Sequence, residues 1–335
     1  MSWGTNVLVG QSGGPTAVIN SSLAGVYEAA KALGAAHVYG MEYGIQGLLQ
    51  GKIVDLDDRL DDKMEIELLK RTPSSYLGSC RFKLPNPATD ERPFVQLFEL
   101  FAKYCIGAVF YIGGNDSMDT IAKLSAYGAA KGSEIRFIGV PKTIDNDLPL
   151  PAGSPTFGYQ SAKDMGSIIG RTVATDAKTS GNWFVVAAMG RSAGHLAFGI
   201  GTACHYPMIV IPEMFNKTEI TVEKIVNLVV SAIIKRKIMG IDYGVAMISE
   251  GVFHSLSNEE IQKSGIHFSY DDHGHPELGK VSKAHIFNEM LEKKLKELGL
   301  KVKSRPVEIG YEVRCQTPVA YDLVYCSLLG MGTYK

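Results

Sequence analysis

Seven consecutive residues, Pro141-Lys142-Thr143-Ile144-Asp145-Asn146-Asp147, bring a cation, a hydroxyl and two carboxylates into one short stretch. Read as the end of a β-strand, where side chains alternate from face to face, the spacing puts Thr143, Asp145 and Asp147 on one side. Such a set suits the movement of a phosphoryl group onto an alcohol. A carboxylate accepts the alcohol's proton, while cationic and hydroxyl groups stabilise the charge on the transferred phosphorus. The competing reading is an Asx-rich turn that ends at a proline.

Other stretches carry the same kind of chemistry. Gln11-Ser12-Gly13-Gly14-Pro15-Thr16 joins an apolar run to a helical pattern, and glycine lets backbone N–H groups at a helix start approach an anion closely. It matches neither of the common glycine-rich phosphate motifs, so a tight turn without a ligand reads equally well. Gly113-Gly114-Asn115-Asp116-Ser117 repeats the arrangement with a carboxylate, and Asp116 could support Mg2+ beside substrate phosphates. Alternatively, Asp116 or Ser117 caps the helix that follows. Arg81, Arg191, Arg305 and Arg314 fall in polar loops or at strand ends, where guanidinium grips phosphate through two hydrogen bonds. Glu250, directly after an apolar run, could accept hydrogen bonds from sugar hydroxyls or simply begin a loop. Asp271, Asp272, His273 and His275 sit in a Gly/Pro-containing stretch without a third ligand at useful spacing, which reads as a solvated loop.

The elements that must position these residues follow from the apolar pattern. Strands are expected at Asn6–Gly10, His37–Gly40, Ala108–Ile112, Arg136–Val140, Trp183–Met189, Met208–Ile211 and Tyr243–Ser249. Helices are expected at Arg92–Cys105, Ser117–Ala129, Gly158–Thr175, Glu219–Lys237 and Ser282–Leu298. Continuous apolar strands between helices imply parallel strands covered on both faces, an α/β architecture with doubly wound sheets. In such sheets ligands bind beyond the carboxyl ends of strands, which is where each of the polar stretches falls.

The chain has 335 residues, about two domains' worth, and Leu148–Pro155 is a plausible crossing between them. Lys and Arg number 34 against 35 for Asp and Glu, so the net charge of −1 argues against a general nucleic-acid binder. No apolar run approaches the ~18 residues of a membrane span, and no secretory signal is visible. Five cysteines without a CxxC pair read as reduced thiols, so the expectation is a soluble cytoplasmic protein.

In this order, the segments resemble the phosphofructokinase family over essentially the whole chain. The resemblance is carried by SGGPTAVIN near the start, GSCR at Gly78–Arg81, GGNDS, PKTIDND, MGRSAG at Met189–Gly194, ISEG at Ile248–Gly251 and GYEVRCQTPVAYD at Gly310–Asp322. It implies two Rossmann-like α/β domains with the active site in the cleft between them. Residues 1–155, with a return of 315–335, would form the phosphoryl-donor side, and 156–314 the sugar-phosphate side. Asp145 would deprotonate the sugar 1-hydroxyl, with Thr143 beside it and Asp147 on the same strand end. Gly14, Arg81, Gly114 and Lys142 would meet the donor. Met189, Gly190, Arg191 and Glu250 would hold the sugar phosphate, and Arg305, Tyr311 and Arg314 its 6-phosphate, where members more often carry histidine at the Tyr311 position. Mg2+ and a homo-oligomer, dimer or tetramer, are implied as well.

ATP-using members typically read GGDGS and PGTIDND, whereas this chain has Asp116 and Lys142 in place of the glycines. A carboxylate at Asp116 would repel an α-phosphate, and Lys142 would set a cation against a short donor. Both resemble the diphosphate-dependent branch, so diphosphate is the expected donor and fructose 6-phosphate the acceptor. Pro207 stands near the ATP branch's effector glutamate, which argues against nucleotide regulation. Three departures stand out. Asn115 replaces an aspartate near Mg2+, Asn182 replaces an arginine that many members lend to the neighbouring subunit, and family chains normally continue past Lys335. The alternatives are an ATP-dependent member, or a truncated or non-catalytic member serving as a binding or regulatory subunit.

Overall fold

A computed structural model describes residues 6–151, 153–215, 219–263 and 282–334. The chain divides into two compact units: Met1–Ile144, Leu150–Ser161 and Arg314–Lys335 in the first, Asp145–Pro149 and Ala162–Val313 in the second. Among the described residues no helix is long and apolar enough to cross a membrane. His273 and His275, with Asp271 and Asp272, lie outside the described residues.

The first unit is built on five strands: β1 (Asn6–Gln11), β2 (Val38–Met41), β3 (Ile53–Asp55), β4 (Ile106–Gly113) and β5 (Arg136–Pro141), in the order β3-β2-β1-β4-β5. All pairs are parallel except β2 with β3. That antiparallel edge strand, only three residues long, was not expected from the apolar pattern. Successive residues of a strand face opposite ways. Val7 and Val9 join one core cluster and Leu8 the other; Phe110 and Ile112 oppose Val109 and Tyr111 in the same manner. Both faces are therefore buried, which is why these strands read as unbroken apolar runs. Gln11 lies level with Ile112 across the β1–β4 pair, at the point where strand order reverses. The polar stretches after β1 and β4 therefore emerge side by side at the position where such sheets bind ligands.

The second unit carries β6 (Trp183–Ala188), β7 (Met208–Val210), β8 (Gly244–Ser249) and β9 (Ser304–Ile309), all parallel, in the order β7-β8-β6-β9. Ala188 is level with Ser249 on one side and Ile309 on the other, so the residues after β6, β8 and β9 gather at one end. Strand β9 was not expected either. Pro306 and exposed charges interrupt its sequence, a pattern that an edge strand tolerates because its outer N–H groups need no partner.

Two helices of the first unit, Ile19–Ala32 and Ala320–Tyr334, cross so closely that glycine is required on both. A Cβ on Gly25 would stand 2.1 Å from the Ser327 carbonyl oxygen, and one on Gly330 would stand 2.2 Å from that of Ser22. The Ser22 hydroxyl also donates to the Cys326 carbonyl at 3.2 Å. Gly25→Ala gains roughly 1 kcal/mol of helix propensity, but wedging the helices apart costs more, about 3 kcal/mol. The expected outcome is a net loss of about 2 kcal/mol, read as a lower urea midpoint at unchanged slope. An unchanged midpoint would refute the close crossing.

Candidate active site

In the first unit the loop after β1 is held from below by a buried polar network. Gln11 donates to Asn20 Oδ1 at 2.9 Å and accepts from the Leu77 N–H at 3.0 Å. Asn20 in turn accepts from the Tyr76 N–H at 2.9 Å and donates to the Thr72 carbonyl at 2.9 Å. These bonds bring the loop that carries Arg81 alongside β1. There Gly13 N–H donates to the Cys80 carbonyl at 3.1 Å, and the Ser79 hydroxyl donates to the Gly13 carbonyl at 2.5 Å. Arg81 itself is exposed. Gly13 has φ +79°, a left-handed conformation that suits glycine.

Lys142 completes this turn. Its residue is only 8% exposed, its N–H donates to the Gly113 carbonyl at 2.8 Å, and its ammonium donates to the Gly14 carbonyl. The Arg314 guanidinium lies against the same turn, its Cζ 3.2 Å from where a Gly14 Cβ would stand. Arg314, grouped by the resemblance with the 6-phosphate residues, thus reaches the Gly14 turn with its guanidinium. After β4, Gly113 leaves room for the Ser12 and Ser117 hydroxyls to meet at 2.5 Å, and a Cβ there would stand 2.1 Å from Ser117 Oγ.

Neither Asp116 nor Ser117 is the cap of the helix Asn115–Ala130. The cap position is Gly114, which has no side chain to bond with. Ser117 bonds Ser12 instead, while Asp116 lies in the first helical turn with its side chain 66% exposed, 3.9 Å from Lys83. An exposed carboxylate with one loose partner, beside glycine turns that admit phosphate oxygens, fits the sparse protein ligation that Mg2+ takes.

The segment 142–149 corrects the alternation argument. Strand β5 stops at Pro141, the chain bends at Ile144 and Asp145, and Asn146 is left-handed with φ +58°. Thr143, Asp145 and Asp147 therefore do not share a strand face. Their placement comes from tertiary anchors. The Thr143 carbonyl accepts from the Thr156 hydroxyl at 2.8 Å, and the Asn146 carbonyl lies 2.6 Å from His195 Nδ1. Asp147 Oδ1 is buried without a hydrogen-bond partner among the described residues.

In the second unit Gly190 and Arg191, following β6, both donate backbone N–H groups to Glu250 Oε2, at 3.2 and 3.3 Å. Arg191 has φ +53°, unusual for a residue with a side chain, so this turn needs holding. Glu250 Oε1 lies 3.1 Å from Lys283 Nζ and 3.5 Å from His254 Nε2. The carboxylate expected to meet sugar hydroxyls thus also fastens the loop that presents Met189 and Arg191. Tyr311 follows β9 and is 72% exposed. Arg305 lies near the amino end of β9, level with Phe184, roughly 13 Å along the strand from the end where Met189 and Tyr311 emerge. Asn182, just before β6, donates to the Ser180 hydroxyl at 2.9 Å.

Sequence reasoning missed Lys283, His195 and Thr156. Only His195 had a local signal, its place directly after the MGRSAG stretch.

A profile of the Phosphofructokinase family matches residues 6–335. The chain belongs to the phosphofructokinase family. It is 36% identical over 330 residues to the pyrophosphate--fructose 6-phosphate 1-phosphotransferase of Thermotoga maritima, spanning 98% of this chain and 76% of that one. The protein of the same name from Naegleria fowleri is 32% identical, with 98% and 75% covered. Among solved structures, the pyrophosphate-dependent phosphofructokinase of Nitrosospira multiformis matches with a TM-score of 0.76 at 27% identity, covering 99% of this chain and 76% of that one.

Within this phosphofructokinase, burial by itself would raise the Glu250 pKa. The His254 hydrogen bond and the Lys283 ammonium more than reverse that, lowering it from 4.5 to about 2. Between those values the folded state binds fewer protons than the unfolded one, so stability from this group is complete above about pH 4.5 and lost as pH falls toward 2. The difference in unfolding free energy between the protein and Glu250→Gln is expected to be on the order of 3 kcal/mol at neutral pH and to shrink across that window. Urea unfolding at a series of pH values measures it, and a difference that does not vary with pH would refute the assignment.

Proposed function

We propose that this chain is a diphosphate--fructose-6-phosphate 1-phosphotransferase of glycolysis, transferring phosphoryl reversibly between diphosphate and the C1 hydroxyl of fructose 6-phosphate. The donor choice is carried by one observation, the buried Lys142 ammonium on the carbonyl of Gly14. It fixes a cation against the glycine turn, which suits a short and highly charged donor. Asp116, in the first turn of the helix after Gly114, sets a negative charge where a longer donor would run its α-phosphate. Two curated relatives at 36% and 32% identity carry pyrophosphate in their names, in support of this choice.

In this reading Gly14, Arg81, Gly114 and Lys142 bind diphosphate, while Asp116 and Lys142 exclude ATP. Asp145 takes the proton from the C1 hydroxyl as its oxygen attacks phosphorus, and Thr143 stabilises the transferred group beside it. Asp147 sets the local charge that favours proton acceptance by Asp145. Met189, Gly190, Arg191 and Glu250 hold the sugar, with Arg305, Tyr311 and Arg314 on the 6-phosphate. Mg2+, held by Asp116 together with diphosphate oxygens, would neutralise charge on the donor. Diphosphate and the sugar bisphosphate have comparable transfer potential, so the reaction runs in both glycolytic and gluconeogenic directions. The protein works in the cytoplasm as a homo-oligomer, a dimer or tetramer.

Asp145→Asn is expected to lower kcat by roughly a hundred- to ten-thousand-fold while moving KM little, in an aldolase-coupled assay with Mg2+, diphosphate and fructose 6-phosphate. Loss of binding without loss of kcat would sink the base assignment. The double change Asp116→Gly and Lys142→Gly is expected to admit ATP at a detectable rate. A folded double variant without any ATP activity would count against the donor argument, and turnover of the unaltered protein with ATP alone would favour the ATP-dependent reading.

A further inference from the structure

We propose that His195 is a positioning residue for the catalytic segment, its Nδ1–H holding the Asn146 carbonyl and thereby fixing Asp145 and Asp147 on either side. The inference rests on the reading of Asp145 as the base. A carbonyl oxygen can only accept, so at 2.6 Å the hydrogen must lie on Nδ1.

Three observations make this bond more than a surface contact. First, the Lys142 N–H makes the last backbone bond to β4 among the described residues, and Asn146 beyond it is left-handed at φ +58°, so its peptide is placed by groups outside the strand. Second, the two anchors bracket the base: Thr156 bonds the carbonyl of Thr143 on one side, and His195 bonds that of Asn146 on the other. Third, His195 stands on a firm base. It begins the helix His195–Ala203, in which Leu196, Ala197 and Ile200 are buried. The preceding Gly194 donates its N–H to Glu213 Oε1 at 2.9 Å and packs so tightly that a Cβ would stand 2.3 Å from Ile211. The other ring nitrogen, Nε2, lies 3.7 Å from the same Glu213 oxygen.

Rotation of the Asn146 peptide swings both neighbouring carboxylates. A displacement of about 1 Å at a reacting group costs up to about a hundredfold in rate. His195 therefore acts on kcat through Asp145 and leaves substrate binding to other residues.

The test compares His195→Phe, which keeps a ring and loses the donor, with His195→Asn, whose amide can place an N–H near the Nδ1 position. His195→Leu serves the same comparison where the larger ring does not pack. The protein, these variants and Asp145→Asn are assayed with diphosphate, fructose 6-phosphate and Mg2+, and their melting temperatures are recorded. The expected result is a ten- to hundredfold loss of kcat in His195→Phe or His195→Leu, with both KM values within about threefold. Most of that loss should be recovered in His195→Asn. Variants lacking the donor that keep full kcat would overturn the inference. So would an Asn variant as slow as Phe, or a loss that merely tracks a lowered melting temperature. Full kcat in Asp145→Asn would instead overturn the base assignment, and with it any role for His195 through that base.

Discussion

Lys142 and Arg314 lean on one glycine turn, the ammonium bonded to the Gly14 carbonyl and the guanidinium 3.2 Å from where a Gly14 Cβ would stand. Two cationic side chains therefore share one backbone turn, whose shape has to be fixed for both. Much of the first unit can be understood as meeting that constraint. The β1–β4 register sets the two glycine loops level with each other, and Gly113 lets Ser12 and Ser117 close beneath them. The Gln11–Asn20 network carries the Arg81 loop alongside. On the proposed reading, diphosphate arriving there meets charges and backbone already arranged, so little of its binding energy is lost to ordering the protein.

The fold was legible where burial dictates sequence. Strands covered on both faces, such as β4 and β6, must be continuously apolar, and the run itself announces them. The edges escaped for the converse reason. Strand β9 is half-solvated and carries Pro306, and β3 is too short to show a period. The site residues were legible as types but not as geometry. Alternation failed at Lys142–Asp147 because the strand ends one residue earlier and Asn146 turns left-handed, a conformation asparagine tolerates better than most side chains. Arg314 was grouped with the 6-phosphate residues by the resemblance of its segment. Its guanidinium lies on the Gly14 turn, a contact across 300 residues of sequence that no local pattern carries.

What replaces alternation is long-range anchoring, and this is the part that local pattern cannot carry. The division between the two units falls between Ile144 and Asp145. Thr156 secures the carbonyl of Thr143 in the first unit, and His195, 49 residues beyond Asn146, secures that of Asn146 in the second. A base belonging wholly to one rigid element would keep its place through that element's own ladder. Here the bend at Ile144 and Asp145 lies beyond the strand, and the bonds to the Thr143 and Asn146 carbonyls are among those that hold it. Glu250 follows the same logic in the second unit. One oxygen fastens the Gly190–Arg191 turn, while the other is neutralised by Lys283 and His254. In both places a backbone conformation unusual for a residue with a side chain, Asn146 or Arg191, is bonded by a polar side chain from elsewhere in the chain.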